Sequence, residues 1–150
     1  MSVTTLCMIA GSCGGARGYA LPAAIVAKLA SPHAPAVAFD GDGSFAMTMS
    51  ELETAVRLNL ESLVVLVFYN NSFGPIRRHQ NREFPGRAVG TSLCNIDFSV
   101  IAKAMGAEGY NVKRNVDFAK TMRAALNAGC PAVIEIAVSD NSPGPWDDNK

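Results

Sequence analysis

No stretch of this chain approaches the run of about 20 apolar residues that a membrane-spanning helix requires. Charge of one sign is missing too. Thirteen Lys and Arg balance thirteen Asp and Glu, and no basic tract offers a footprint for nucleic acid or an anionic membrane. The four cysteines, Cys7, Cys13, Cys94 and Cys130, lack CxxC spacing and a histidine cluster. That argues against a disulfide framework or a zinc site and for reduced thiols in the cytoplasm. Residues 2–12 are mildly apolar, and residues 10–13 faintly resemble a lipoprotein cleavage site, but no positively charged segment precedes them, so they read as mature sequence. Of the two histidines, His33 lies in a proline-flanked connection and His79 in a basic run, and neither carries a catalytic expectation.

What the chain has is alternation. With 150 residues, 49% apolar and 17% charged, it has the make-up of one ordinary globular domain with a real core. That domain is expected over residues 1–138, with a flexible tail over 139–150 (SDNSPGPWDDNK) whose Trp146 is available to a partner. Residues 3–9 are a strand candidate feeding the turn Gly11-Ser12-Cys13-Gly14-Gly15, and residues 20–30 (ALPAAIVAKLA) an alanine-rich helix with proline in its first turn. Residues 31–35 form a surface connection. The basic run 75–83 predicts an exposed or subunit-facing helix, with holding a substrate carboxylate as the alternative, and residues 85–95 a loop over the sheet edge. Asp97 is placed to cap a helix over 98–105 that Gly106 ends. Residues 108–112 then form a short strand, a helix runs from the region of Asp117 to Asn127, and residues 132–138 are the last strand. The pattern predicts an α/β fold, a doubly wound, mostly parallel sheet with helices on both faces.

The chemistry is concentrated between Asp40 and Ile76. An apolar run at Val37-Ala38-Phe39 stops at Asp40-Gly41-Asp42-Gly43-Ser44, where Gly41 and Gly43 permit positive φ and close approach of backbone to a ligand. Ser50 and Glu53 have capping-box spacing, and Leu52, Ala55, Val56 and Leu60 keep a helical stripe, although the helix start could lie several residues earlier. Residues 63–68 (LVVLVF) read as a strand buried on both faces. In a right-handed βαβ unit both following loops emerge at one sheet edge, which makes Asp42 and Asn70 neighbours. A carboxylate, an amide oxygen and a backbone carbonyl suit Mg²⁺, which completes its shell with water and phosphate oxygens. The glycine-rich backbone and helix start suit the diphosphate itself. Taken singly, a GDGS segment is ordinarily a turn, and Asn-Asn after a strand is ordinary loop chemistry. Both on one unit are a stronger signal.

GDG, 26 residues, then NN resembles the cofactor signature of thiamine diphosphate-dependent enzymes, in particular the 2-oxo acid decarboxylase and acetolactate synthase group that includes benzoylformate decarboxylase-like proteins. The resemblance extends to GGARGYALPAAIVAKLA, NNSFGPIR, IDFSVIAKAMGAEGY and CPAVIEIAV, and covers only the diphosphate-binding domain of such enzymes. It implies Asp42, the Asn70 side chain and the Ser72 carbonyl as metal ligands. Asn70 is preferred to Asn71 because Phe73-Gly74 then aligns with the family's aromatic-glycine pair. It also implies cofactor contacts along Gly14, Gly15, Gly41, Gly43, Ser44, Phe73 and Gly74, with the Gly15 carbonyl accepting from the pyrimidine amino group. Arg17 departs from the pattern, standing where relatives carry the Leu, Ile or Met that supports the bent cofactor.

The resemblance implies decarboxylation of a small 2-oxo acid, within a homo- or hetero-oligomer. The activating glutamate would come from a separate pyrimidine-binding domain or subunit. Glu51, Glu53 and Glu61 belong to the helix or its end, so no catalytic residue is assigned in this chain. Two alternatives stay open: a degenerate domain that binds cofactor or partner without turnover, for which Arg17 is the motive, and a general nucleotide-binding α/β domain.

Overall fold

The computed structural model describes residues 16–139. The expected strand over 3–9, the turn containing Gly14 and Gly15, and residues 140–150 with Trp146 lie outside them. Ten elements follow in order: α1 (Ala20–Ala30), β1 (Ala36–Gly41), α2 (Asp42–Thr48), α3 (Glu51–Arg57), β2 (Leu63–Tyr69), α4 (Gly74–Glu83), α5 (Phe98–Ala104), β3 (Glu108–Val112), α6 (Asn115–Leu126) and β4 (Ala132–Ala137).

The four strands form a parallel sheet in the order β1-β2-β4-β3. Residue type explains the order. In β2, LVVLVFY buries its first five residues, as an interior strand must, whereas β1 alternates buried and exposed positions and lies at an edge of the sheet formed by the described residues. Right-handed crossovers explain the layers. The chain moves from β1 to β2 and on to β3 with α2, α3 and α5 on one face, then reverses direction to β4 and carries α6 to the other.

On the first face Leu21 and Ile25 of α1, Phe45 of α2, Leu52 of α3 and Phe98 of α5 close over Ala38, Val65, Val67 and Val133. The Phe45 and Phe98 rings meet edge to face with centroids 5.3 Å apart. On the second face Phe118, Met122, Ala125 and Leu126 of α6 cover Val64, Leu66 and Ile134. Full burial of one such aliphatic side chain contributes about 1.5–3 kcal/mol. The cover stops short of β1: Val37 and Phe39 stay exposed, with the Phe39 ring stacked 6.2 Å from that of Phe68. At the opposite end of the sheet α5 approaches so closely that a Cβ on Gly109 of β3 would lie 2.9 Å from Ser99 Cα, so no side chain fits there.

Most expected elements are present, with four corrections. The single helix expected before β2 is two, broken at residues 49–50 and ending at Arg57 rather than Leu60. Its capping box does not form: Ser50 has helical backbone angles and makes no side-chain cap bond, because Ser50 follows another helix and has no free strand-like entry. The GDGS segment is no open glycine turn. Gly41 ends β1 with φ −90°, and Gly43 and Ser44 already lie in the first turn of α2. Finally, α6 begins at Asn115, two residues before Asp117. The α5 cap is as expected, Asp97 Oδ1 accepting from Val100 N–H at 2.9 Å. The basic run is an exposed helix, α4, with no buried residue.

Candidate functional site

All strands are parallel, so the loops after β1, β2 and β4 open at the same sheet edge. There the carboxylate of Asp42, 6% exposed, joins the two motifs. Its Oδ1 accepts from Gly43 N–H at 2.8 Å. Its Oδ2 reaches across 28 positions of sequence to accept from Asn70 N–H at 3.2 Å and Asn71 N–H at 2.8 Å. A carboxylate in the first turn of a helix is also favoured by the helix dipole.

The turn after β2 is shaped around that carboxylate. Asn71 has a positive φ of 57°, a conformation that asparagine tolerates better than most residues, and this aims two consecutive amides at one oxygen. Asn70 Oδ1 accepts from Ser72 N–H at 3.1 Å, and the Ser72 carbonyl accepts from Gly74 N–H at 2.8 Å. Phe73 then caps the start of α4 and lays its ring over Gly43. An added Cβ at Gly43 would stand 2.7 Å from Phe73 Cδ1 and 3.3 Å from Leu93 Cδ1. Packing against Phe73 and Leu93 therefore favours glycine at position 43.

Ser44 faces the other way. Its Oγ accepts from Gly18 N–H at 2.8 Å, which ties α2 to the turn bearing Arg17. Arg17 is exposed, its guanidinium carbon 6.0 Å from the centre of the Phe73 ring, within cation-π range. Beneath them Asp40 is buried on the α2 side, and one of its oxygens has no partner. Burial pushes its carboxyl above the ordinary range, against the opposing pull of the Ser44 hydroxyl and the Gly41 amide.

The structure thus gathers Arg17, Gly41, Asp42, Gly43, Ser44, Asn70, Ser72, Phe73 and Gly74 at one edge, while Gly14 and Gly15 lie outside the described residues. Of the loop expected over the sheet edge at 85–95, residues 91–93 form an outer wall that the sequence does not single out. Phe73 N–H and Ser72 Oγ both donate to Thr91 O, at 2.9 and 3.1 Å, and Leu93 N–H donates to Asn71 O at 2.8 Å. No local signal marks residues 91–93, because their pairing with the turn, including an antiparallel bridge between Ser72 and Ser92, is long-range.

The donors gathered here, a buried carboxylate, an amide oxygen and a backbone carbonyl, are all hard oxygens and fit a divalent cation of the magnesium type. Among the described residues no group of three or more His, Cys, Asp and Glu side chains could hold a metal, and no helix is long and apolar enough to cross a membrane. A cavity of about 230 Å³ at the opposite sheet edge is lined in part by Lys28, but its Nζ already donates to the Pro32 and Ala34 carbonyls at 2.7 and 2.8 Å.

Residues 4–136 match the family described as thiamine pyrophosphate enzyme, C-terminal TPP binding domain. The mitochondrial acetolactate synthase catalytic subunit of Aspergillus candidus is 37% identical over 129 residues, which are 86% of this chain and 18% of that protein. Sulfoacetaldehyde acetyltransferase of Castellaniella defragrans is 40% identical over 114 residues, 76% of this chain and 19% of that one. Among solved structures, the thiamine diphosphate-dependent 4-hydroxybenzoylformate decarboxylase of Rhodococcus jostii RHA1 superposes with a TM-score of 0.76 at 30% identity, over 82% of this chain and 23% of that one. The chain therefore spans roughly a fifth of the length of these relatives.

Proposed function

The chain belongs to the thiamine pyrophosphate enzyme family as its C-terminal cofactor-binding domain, and from that premise we propose that it forms the magnesium- and diphosphate-binding half of a 2-oxo acid decarboxylase or acetolactate synthase-like carboligase. The observation that carries this reading is Asp42: a buried carboxylate at the sheet edge, held by the backbone amides of both asparagines.

In this reading Asp42, the Asn70 side chain and the Ser72 carbonyl hold the metal, and the start of α2 with Gly43 and Ser44 receives the diphosphate. The Ser44 hydroxyl is engaged with Gly18, which leaves its backbone as the contacting group. When bound, thiamine diphosphate supplies the nucleophilic carbon and the electron sink for decarboxylating a 2-oxo acid. The chain's own residues bind and orient it. Asp42 fixes the metal end, and Phe73 with Leu93 closes the outer side of the Gly43 turn. No glutamate of this chain is placed to activate the pyrimidine, so a pyrimidine-binding domain or subunit completes the site. The exposed strip of Val37 and Phe39, and α4 with no buried residue, suit a protein that works against further domains. Unpaired Cys94 and Cys130 accord with a reducing cytoplasm.

A second reading rests on Arg17. A guanidinium beside Phe73, in the place where the family resemblance implies an apolar support, fits a domain that binds cofactor without turnover. Calorimetric titration of the 150-residue chain with thiamine diphosphate, with and without Mg²⁺ and with a pyrimidine domain added, tests both. Magnesium-dependent, selective binding supports the first reading, and binding with no activity in the completed complex supports the second. Preference for a nucleoside diphosphate would overturn both.

A further inference from the structure

Glu135 interrupts the apolar run of β4 and is 2% exposed. It shares a register row with Asp40, Val67 and Asn111, one level below the site edge. Burying a carboxylate is costly unless its oxygens are hydrogen-bonded. Here Oε1 accepts from Phe98 N–H at 2.8 Å and Oε2 from Asn111 Nδ2 at 3.2 Å.

These bonds decide where α5 begins. Phe98 and Val100 supply first-turn amides that the helix itself cannot satisfy. Glu135 takes the first and Asp97 the second. Upstream of Phe98, residues 91–97 belong to no helix or named strand, and Ser92, Cys94 and Asn95 are exposed. Ile96 packs against the core, and hydrogen bonds hold the segment on either side of it. At one end Thr91 and Leu93 bond to Asn71, Ser72 and Phe73; at the other Glu135 holds Phe98.

We propose that Glu135 is a positioning residue for the site turn, acting through the start of α5 and the 91–97 segment to brace Asn71, Ser72 and Phe73. Without it the segment keeps its contacts to the turn but loses the hydrogen bond that fixes its far end, leaving Ile96 and Phe98 to apolar packing alone. The functional part of the proposal rests on the cofactor reading above, whereas the bracing itself does not.

The test uses the 150-residue chain with Glu135→Leu and Glu135→Gln. Amide hydrogen exchange is followed at Phe73 and Leu93 and, as the global reference, across β2 and β4. Glu135→Leu should speed exchange at Phe73 and Leu93 about tenfold or more while the sheet amides keep their protection, a factor in keeping with losing a hydrogen bond to a charged group. Glu135→Gln should restore most of the protection, because its amide oxygen still accepts from Phe98 N–H and the Asn111 amide can turn to present its oxygen. Glu135→Asn, too short to reach Phe98, is read as the leucine variant if leucine prevents folding. In the presence of Mg²⁺, the thiamine diphosphate dissociation constant should rise about tenfold in the leucine or asparagine variant and stay near wild type in the glutamine variant. Unchanged protection at Phe73 and Leu93, or loss in step with the sheet amides, would overturn the proposal in favour of a purely global role. If the wild-type chain binds no cofactor, alone or with a pyrimidine domain added, the cofactor reading fails and the exchange result still decides the role of Glu135.

Discussion

A single methyl group at Gly43 probes the join between the two site motifs. The added Cβ would stand 2.7 Å from Phe73 Cδ1 and 3.3 Å from Leu93 Cδ1. Carbon atoms in contact prefer about 3.5–4.0 Å, so the ring has to withdraw by about 1 Å. The Phe73 backbone is pinned, its amide bonded to Thr91 O at 2.9 Å and its residue at the N-cap of α4, so the ring withdraws only by leaving its present side-chain rotamer. Overpacking of this kind costs about 1–3 kcal/mol. Set against it is the gain of alanine over glycine in a helix, at most about 1 kcal/mol. Gly43→Ala alone should therefore destabilise the fold by about 1–2 kcal/mol. In a Phe73→Ala background only the milder 3.3 Å approach to Leu93 Cδ1 remains, and the same substitution should become nearly neutral. Urea denaturation of the four species gives the coupling energy, expected at about 1–3 kcal/mol. A coupling below about 0.5 kcal/mol would refute the contact between Gly43 and Phe73 as the reason for the glycine.

Asp42→Ala should abolish magnesium-dependent binding of thiamine diphosphate, since it removes the only charged ligand, and should also destabilise the chain by about 1–3 kcal/mol by leaving the Asn70 and Asn71 amides unpaired. Calorimetry showing unchanged affinity would remove Asp42 from the metal. In a complex completed with a pyrimidine domain, Arg17→Leu should raise turnover by replacing a charge with apolar support; equal or lower turnover contradicts that role. Asp40 gives a prediction in pH. Its carboxyl is raised from 3.8 by burial, so the folded state holds the proton more tightly, and its contribution, present in acid, is lost as pH rises from 3.8 through the folded value. Asp40→Asn should therefore raise the melting temperature at neutral pH and flatten the fall in stability just above 3.8. A lower melting temperature at neutral pH would show that the ionised Asp40 is instead stabilised by its surroundings.

The sequence by itself determined the architecture and the principal pairing. LVVLVF carries the signature of an interior strand, ALPAAIVAKLA matches α1 at both ends, and the parallel βαβ rule alone brought Asp42 to the asparagines. These features are legible because periodicity and handedness act over neighbouring residues. What only the tertiary structure decided depends on contacts between distant segments. Ser50 has capping-box spacing, yet it follows α2 and caps nothing. Gly43 reads as a turn glycine, but it is the Phe73 ring, thirty positions away, that leaves no room for a side chain. Thr91, Leu93 and Glu135 carry no local mark of their roles. Each acquires one because the fold brings a carbonyl, a methyl group or a carboxylate to a turn or helix start that its own sequence cannot satisfy.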